Sequence, residues 1–157
     1  MSKELSKKEI ETAIEYWRNL IKNVHEVATS YKYEKNIRLE QDLDLIIYKS
    51  LKIKDPKELA AHFLYEIATK HPFYDGNKRT ALLTSLVVLA KTICEGNKEL
   101  YMRIFKEYLK QRDENFNAKH QSDKRLVKFM ENVADKKKTK QEVIEFIEKQ
   151  FIKAGDS

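Results

Sequence analysis

Apolar residues recur at helical intervals along nearly the whole chain, and the residues that could interrupt that rhythm are few. Proline stands only at positions 56 and 72, and glycine only at 76, 96 and 155. A chain of many short strands needs turn residues far more often than this, roughly every ten positions. The first helical face is marked by Ile10, Ile14, Trp17, Leu20, Ile21, Val24 and Val27. The same spacing returns in Leu43 to Leu51. Asp55-Pro56 opens another helix, an N-cap residue followed by proline in the first turn. That helix runs through Leu59, Phe63 and Ile67 to about Lys70. It ends there because the residue before Pro72 is biased away from helical angles, so His71 begins a loop. From Asn77 to Glu95, rich in Leu, Val and Ala and closed by Gly96, the pattern predicts a buried central helix. Three more helices fall near Lys98–Arg112, Ser122–Ala134 and Thr139–Ile152, which makes the expected fold class all-α.

One interval departs from this period. Tyr31, Tyr33, Ile37 and Leu39 are interleaved with Lys32, Glu34 and Arg38 around the polar centre Glu34-Lys35-Asn36, which predicts a short β-hairpin. No repeat or linker divides the sequence, so 157 residues are expected to form a single domain, 1–157, with a loop at 71–80 and closing helices over 122–152.

Lys and Arg total 31 against 25 Asp and Glu, a formal charge of +6. The surface therefore favours anions such as nucleotides, nucleic acid or acidic proteins, although stretches such as Lys136-Lys137-Lys138 read as solvated turns. The single cysteine, Cys94, cannot close an intrachain disulfide and sits in an apolar stretch. It implies a packing role in a reducing compartment. The N-terminus has no apolar leader core, and Ala81–Ala90, interrupted by Thr84 and Ser85, is too short to span a bilayer. A cytoplasmic protein without a membrane partner is expected.

The chemistry concentrates in His71-Pro-Phe-Tyr-Asp-Gly-Asn-Lys-Arg-Thr80. Gly76 allows close backbone approach to a ligand, and the first turn from Asn77 offers unpaired N–H groups at the positive end of a helix dipole, which suits phosphate oxygens. Lys78 and Arg79 add cations in that same turn, where they are unfavourable unless an anion takes them. Asp75 supplies the hard carboxylate that Mg2+ uses beside bound phosphates. His71 is the available general base near neutral pH. Phe73 is expected to bury its ring beneath the loop and fix its shape. His25, His62 and His120 lack any metal-ligand constellation and read as packing or surface residues. Trp17, Tyr101, Phe105 and Tyr108 lie at helical spacing, which favours core over a base-stacking platform.

Read together, these residues closely resemble the H-x-F-x-D-x-N-K-R-T-A motif of the Doc branch of the Fic/Doc family. Eight defined side chains at fixed spacing, each with a background of about one in twenty, do not recur by accident. The resemblance extends over about Lys57–Lys91 and, more faintly, Leu126–Ile152. It implies a helical bundle with a β-hairpin flap. The implied general base is His71 and the Mg2+ ligand Asp75, with Gly76, Asn77, Lys78 and Arg79 on the phosphates of ATP or another nucleoside triphosphate. The flap, Tyr31, Tyr33, Ile37 and Leu39, would hold a target segment by strand addition.

Departures from the family pattern sharpen this. Fic adenylyltransferases carry Gly where Lys78 stands and a second Arg where Leu82 stands, and both differences point to the Doc branch, whose resemblance implies a kinase of a Ser, Thr or Tyr hydroxyl on a target protein such as elongation factor Tu. Gly76, by contrast, is Fic-like, which keeps AMP transfer as the alternative. The family's inhibitory motif is incomplete at Ser30–Glu34, which continues with Lys35, so a separate antitoxin partner is expected. The remaining rival is a non-catalytic nucleic-acid or protein-binding module on a Fic-like scaffold. The intact His, Asp, Lys and Arg set argues against it.

Overall fold

The computed structural model describes residues 4–93, 96–113 and 124–153. The order is α1 (Lys7–Thr29), a single turn α2 (Tyr33–Asn36), α3 (Glu40–Ser50), α4 (Pro56–Lys70), α5 (Asn77–Thr92), α6 (Lys98–Asp113), α7 (Lys124–Ala134) and α8 (Lys140–Ile147). A π-helical turn over Glu148–Ile152 continues α8. The all-α expectation holds, with no strand among the described residues. Cys94, His120 and most of the 112–123 connection, with the expected helix start at 122, lie outside the described residues.

Helix starts follow their local chemistry. The Ser6 hydroxyl accepts from the Glu9 amide at 3.1 Å while the Glu9 carboxylate accepts from the Ser6 amide at 3.1 Å. Thr139 and Glu142 repeat this capping box on α8, and Asp55 accepts from the Glu58 amide at 3.1 Å ahead of Pro56. Each cap is worth about 1 kcal/mol.

Helix α5 is the centre. Its residues Thr80 to Leu86, Val88 and Leu89 are buried, and α1, α4, α6 and α7 pack around it. A helix apolar on every side has no solvent-facing stripe and must lie inside. Helix α4 lies against α5 and also meets α3, α7 and α8. Trp17 of α1 packs on Phe63 of α4, ring centroids 5.1 Å apart, and Arg18 forks onto Asp44 of α3 at 2.9 and 2.8 Å. The far end is tied by Lys140 of α8, 2.9 Å from the buried Glu66 carboxylate of α4. Burial would raise that carboxyl's pKa, but Lys140 overcomes it and holds it below the ordinary range.

Two expectations fail. Residues 31–39 do not form a β-hairpin. Tyr33–Asn36 closes a helical turn, with the Ile37 amide donating to the Tyr33 carbonyl at 2.9 Å, and Ile37 then makes one isolated antiparallel bridge to Phe73. Tyr33 and Ile37 stand four apart, a spacing that serves one face of a helical turn as well as it serves strand alternation. Burial of Tyr33 and Asn36 decides between them. Tyr101 and Phe105 are not core: they stack on each other at 6.1 Å on the outer side of α6, while Leu100, Ile104 and Gln111 face inward. A four-residue spacing identifies a shared stripe without saying which stripe is buried. Among the described residues, no helix is long and apolar enough to cross a membrane.

Candidate active site

The loop between α4 and α5 begins where proline stops α4. His71 takes the left-handed region, φ 54 and ψ 59, a conformation that costs a non-glycine residue about 1 kcal/mol. Arg38 offsets this by donating to the His71 carbonyl at 2.9 Å and the Lys70 carbonyl at 3.1 Å, placing a cation at the negative end of α4. The exposed His71 imidazole has Nδ1 3.1 Å from the Thr69 carbonyl. A carbonyl only accepts, so Nδ1 carries the proton and Nε2 keeps its lone pair. Nε2 has no hydrogen-bond partner among the described residues, which leaves it free to take a proton from a substrate.

Beyond His71 the chain pairs with residues 36–39. The Arg38 amide donates to the Pro72 carbonyl at 2.8 Å and the Tyr74 amide to the Asn36 carbonyl at 2.9 Å. Phe73 is buried, as expected of an anchor, with its ring stacked on His25 at 3.8 Å and 6°. Asn77 folds its side chain back onto Phe73, accepting from the Phe73 amide at 3.0 Å and donating to its carbonyl at 2.8 Å. The Asn77 amide group is thus committed to loop shape, and only its main-chain N–H is left for an anion.

His25 lies beneath the loop, wholly buried. Its Nδ1 is 2.9 Å from Thr80 Oγ1 and its Nε2 2.7 Å from Asn36 Nδ2; the same Asn36 nitrogen donates to the Asp75 carbonyl at 2.9 Å. Burial lowers the His25 pKa to about 4, against the opposing pull of Glu26 and Asp75. The imidazole is neutral at physiological pH.

Asp75 is exposed. One carboxylate oxygen accepts from the Gly76 amide at 2.8 Å and the other from the Tyr31 hydroxyl at 3.4 Å. Gly76, at φ 80, precedes α5 with no side-chain cap on the helix, so the first-turn N–H groups face outward uncapped. A Cβ at Gly76 would lie 2.2 Å from Thr29 Cγ2. Lys78 is half-buried and has no ion pair among the described residues. Arg79 donates to the Ala28 carbonyl at the end of α1, and burial lowers its pKa against the attraction of Asp75 and Tyr31.

His71, Asp75, Gly76 and Lys78 therefore come together on one exposed loop and helix start, while Phe73 and Asn77 spend their side chains on holding it and Arg79 ties it to the end of α1. The flap residues separate. Tyr31 reaches Asp75, Tyr33 is buried, and Leu39 joins the loop only through its amide, 3.3 Å from the Pro72 carbonyl. Strand addition along 36–39 is not supported, because the Asn36 carbonyl and Arg38 amide serve the motif loop and the Ile37 amide serves Tyr33. Sequence reasoning missed His25, Asn36, Arg38 and Thr29. Only His25 left a signal there, as a polar residue beside the apolar face of α1.

The model of the Fic/DOC family matches residues 6–89, just over half of the 157-residue chain. The chain belongs to the Fic/DOC family. Members of the family are typically protein-modifying transferases that use a nucleoside triphosphate with Mg2+. No curated protein and no solved structure gave a match. The match ends within α5, so α6 to α8 rest on the fold described here. Within the match lie every contact of the loop and its supports from α1, the residues at 31–39 and α4.

Among the described residues no group of three or more His, Cys, Asp or Glu side chains could hold a metal. Asp75 alone fits Mg2+ that arrives already held by phosphates, since that ion keeps several waters and needs only one or two protein oxygens. An open cavity of about 420 Å³ bordered by Asn23, Glu26, Ser30 and Tyr31 lies at the C-terminal end of α1.

Proposed function

We propose that this Fic/DOC protein is a Doc-like toxin that moves the γ-phosphoryl group of ATP onto a Ser, Thr or Tyr hydroxyl of a target protein such as elongation factor Tu. The observation that carries the reading is Lys78: an amine without an acidic partner among the described residues, in the first turn of an uncapped helix. That position repels cations unless an anion arrives.

In this mechanism His71 Nε2 accepts the proton of the target hydroxyl as its oxygen attacks the γ-phosphorus. The bond from phosphorus to the bridging oxygen breaks, and the departing nucleoside diphosphate carries the electron pair away. The Thr69 carbonyl holds His71 in the tautomer that has this lone pair. The α5 N–H groups and Lys78 stabilise charge on the phosphate oxygens. Mg2+, held by Asp75, would neutralise the remaining phosphate charge. Arg79, shared with the Ala28 carbonyl, orients the first turn of α5 and borders the phosphates.

The alternative, AMP transfer, drew its support from Gly76. Packing against Thr29 accounts for that glycine without reference to the donor, which removes the support. A cytoplasmic setting, a partner antitoxin and a single domain over 1–157 belong to the same proposal. Family members usually pair with an antitoxin.

The test is transfer of label to lysate proteins from ATP labelled at the α- or the γ-phosphate, with Mg2+ present and His71→Ala as the blank. γ-Label alone, lost in the variant, is the expected result. α-Label would make the protein an adenylyltransferase. Neither label, together with salt-sensitive nucleic-acid binding that survives His71→Ala, would favour a binding module.

A further inference from the structure

The buried His25 side chain, which meets the motif loop at Phe73, Gly76 and Thr80, takes no part in the chemistry above. The His25 ring covers Phe73, lies 3.6 Å from where a Gly76 Cβ would stand, and shares hydrogen bonds with Thr80 and Asn36. The direction of those bonds follows from one fixed acceptor. The Asp75 carbonyl can only accept, so the Asn36 atom 2.9 Å from it is the amide nitrogen. That nitrogen's other hydrogen points to His25 Nε2, which must accept it. Nδ1 then holds the ring's proton and gives it to Thr80 Oγ1. Hydrogen bonds thus link α1 to the first turns of α5, donated by His25 to Thr80, and α1 to the main chain of Asp75 through Asn36, which donates to both His25 and the Asp75 carbonyl.

Resting on the transferase reading above, we infer that His25 is a positioning residue, clamping the motif loop to α5 through Thr80 and fixing the Asp75 main chain through Asn36. Its counterpart at the other end of the loop is Arg38, which holds the His71 and Lys70 carbonyls. Between them, residues 72–76 have both ends tied. A group that acts by holding phosphate ligands in register affects turnover more than it affects nucleotide affinity, because misplacement costs the transition state most.

His25→Phe tests this, since it keeps a flat ring against Phe73 and removes both nitrogens. The expected result is a folded protein in which the amides of Tyr74 and Gly76 exchange about tenfold faster while those of α6 do not change. Turnover falls by about tenfold or more with KM for ATP held within about twofold. In the wild type, 15N shifts of His25 should show a protonated Nδ1 and an accepting Nε2. Wild-type loop exchange and turnover in folded His25→Phe would overturn the clamp, as would faster exchange spread evenly through the chain. If His25→Phe does not fold, Asn36→Ala, which leaves the imidazole in place, decides by the same readouts. If the wild type transfers neither label, the transferase reading falls. Exchange confined to the loop still upholds the clamp in that case, and unchanged exchange removes it.

Discussion

Replacing Gly76 by alanine should destabilise the fold through one identified contact. The new methyl would lie 2.2 Å from Thr29 Cγ2, closer than two carbon atoms can approach. Thr29 cannot easily turn away, because its hydroxyl donates to the His25 carbonyl at 2.7 Å and accepts from the Tyr31 amide at 3.1 Å. Overpacking of this kind costs about 1–3 kcal/mol, and alanine at φ 80 adds about 1 kcal/mol. Gly76→Ala is therefore expected to cost about 2–4 kcal/mol. Thr29→Ser removes Cγ2 and keeps both hydroxyl bonds. The nearest remaining atoms, Thr29 Cβ at 3.5 Å and His25 Cε1 at 3.6 Å, are ordinary contacts. In that background the alanine should cost only the backbone strain, about 1 kcal/mol. Urea denaturation of the wild type, both single variants and the double variant measures the coupling directly, expected at about 1–3 kcal/mol. Equal alanine costs in the two backgrounds would refute the packing account of Gly76, and with it the reason for setting aside that glycine as a mark of AMP transfer.

Stability should rise with pH between about 4 and 6.5, because an unfolded His25 binds a proton there and the buried one does not. The contribution is complete above 6.5, declines as pH falls from 6.5 to about 4, and levels off below that with about 3 kcal/mol lost. Denaturation of wild type and His25→Phe across that window should show converging stabilities as pH falls, and parallel curves would contradict the assignment. Asn77→Ala leaves the buried Phe73 amide and carbonyl without partners and should cost about 2–4 kcal/mol in urea. Asn77→Asp, which can still accept from the Phe73 amide, should fall between the two. Lys140→Met strands the Glu66 carboxylate; because Lys140 is half exposed to water, the cost is about 1–3 kcal/mol. Adding Glu66→Gln should recover part of the lost melting temperature, and failure to do so would mean that Lys140 acts through packing alone.

Most of the helical order was legible because its causes are local. Capping residues, two prolines and the 3.6-residue apolar period set α1, α3, α4 and α5 to within a few residues of their observed ends. The misread segments are those decided by distant partners. Tyr33 and Ile37 satisfy both a strand and a turn of helix, and what selects the turn is the buried Asn36 amide reaching His25, eleven residues earlier in the chain, and Asp75, far later. Tyr101 and Phe105 share a stripe whose orientation depends on where α6 meets α5. In the candidate site, chemistry alone singles out His71, Asp75 and Lys78, and the fold leaves all three at least partly open to solvent. The supports were not legible, because nothing in the composition around His25, Arg38 or Thr29 announces contacts made to the motif loop across 32 to 55 residues of sequence.

The motif itself divides by side-chain direction. Pro72, Phe73, Asn77 and Thr80 are buried, whereas His71, Tyr74 and Asp75 are exposed. Four of its positions thus shape the loop, and would be required by any chemistry performed on this scaffold. A family match that counts all positions equally therefore fixes the fold of the site more firmly than the reaction. A position that can change without repacking the helix is one the packing leaves open, and Lys78, half-buried in the first turn, is such a position. Leu82 is not. It is fully buried in the α5 core, where an arginine would bring an unpaired charge into an apolar interior at a cost of several kcal/mol, on the order of an unpartnered buried ion. An enzyme with a second arginine there needs a different set of neighbours around α5, whereas exchanging Lys78 needs none. Substituting Lys78 is thus the direct way to ask whether donor choice resides in one side chain or in the repacked helix behind it.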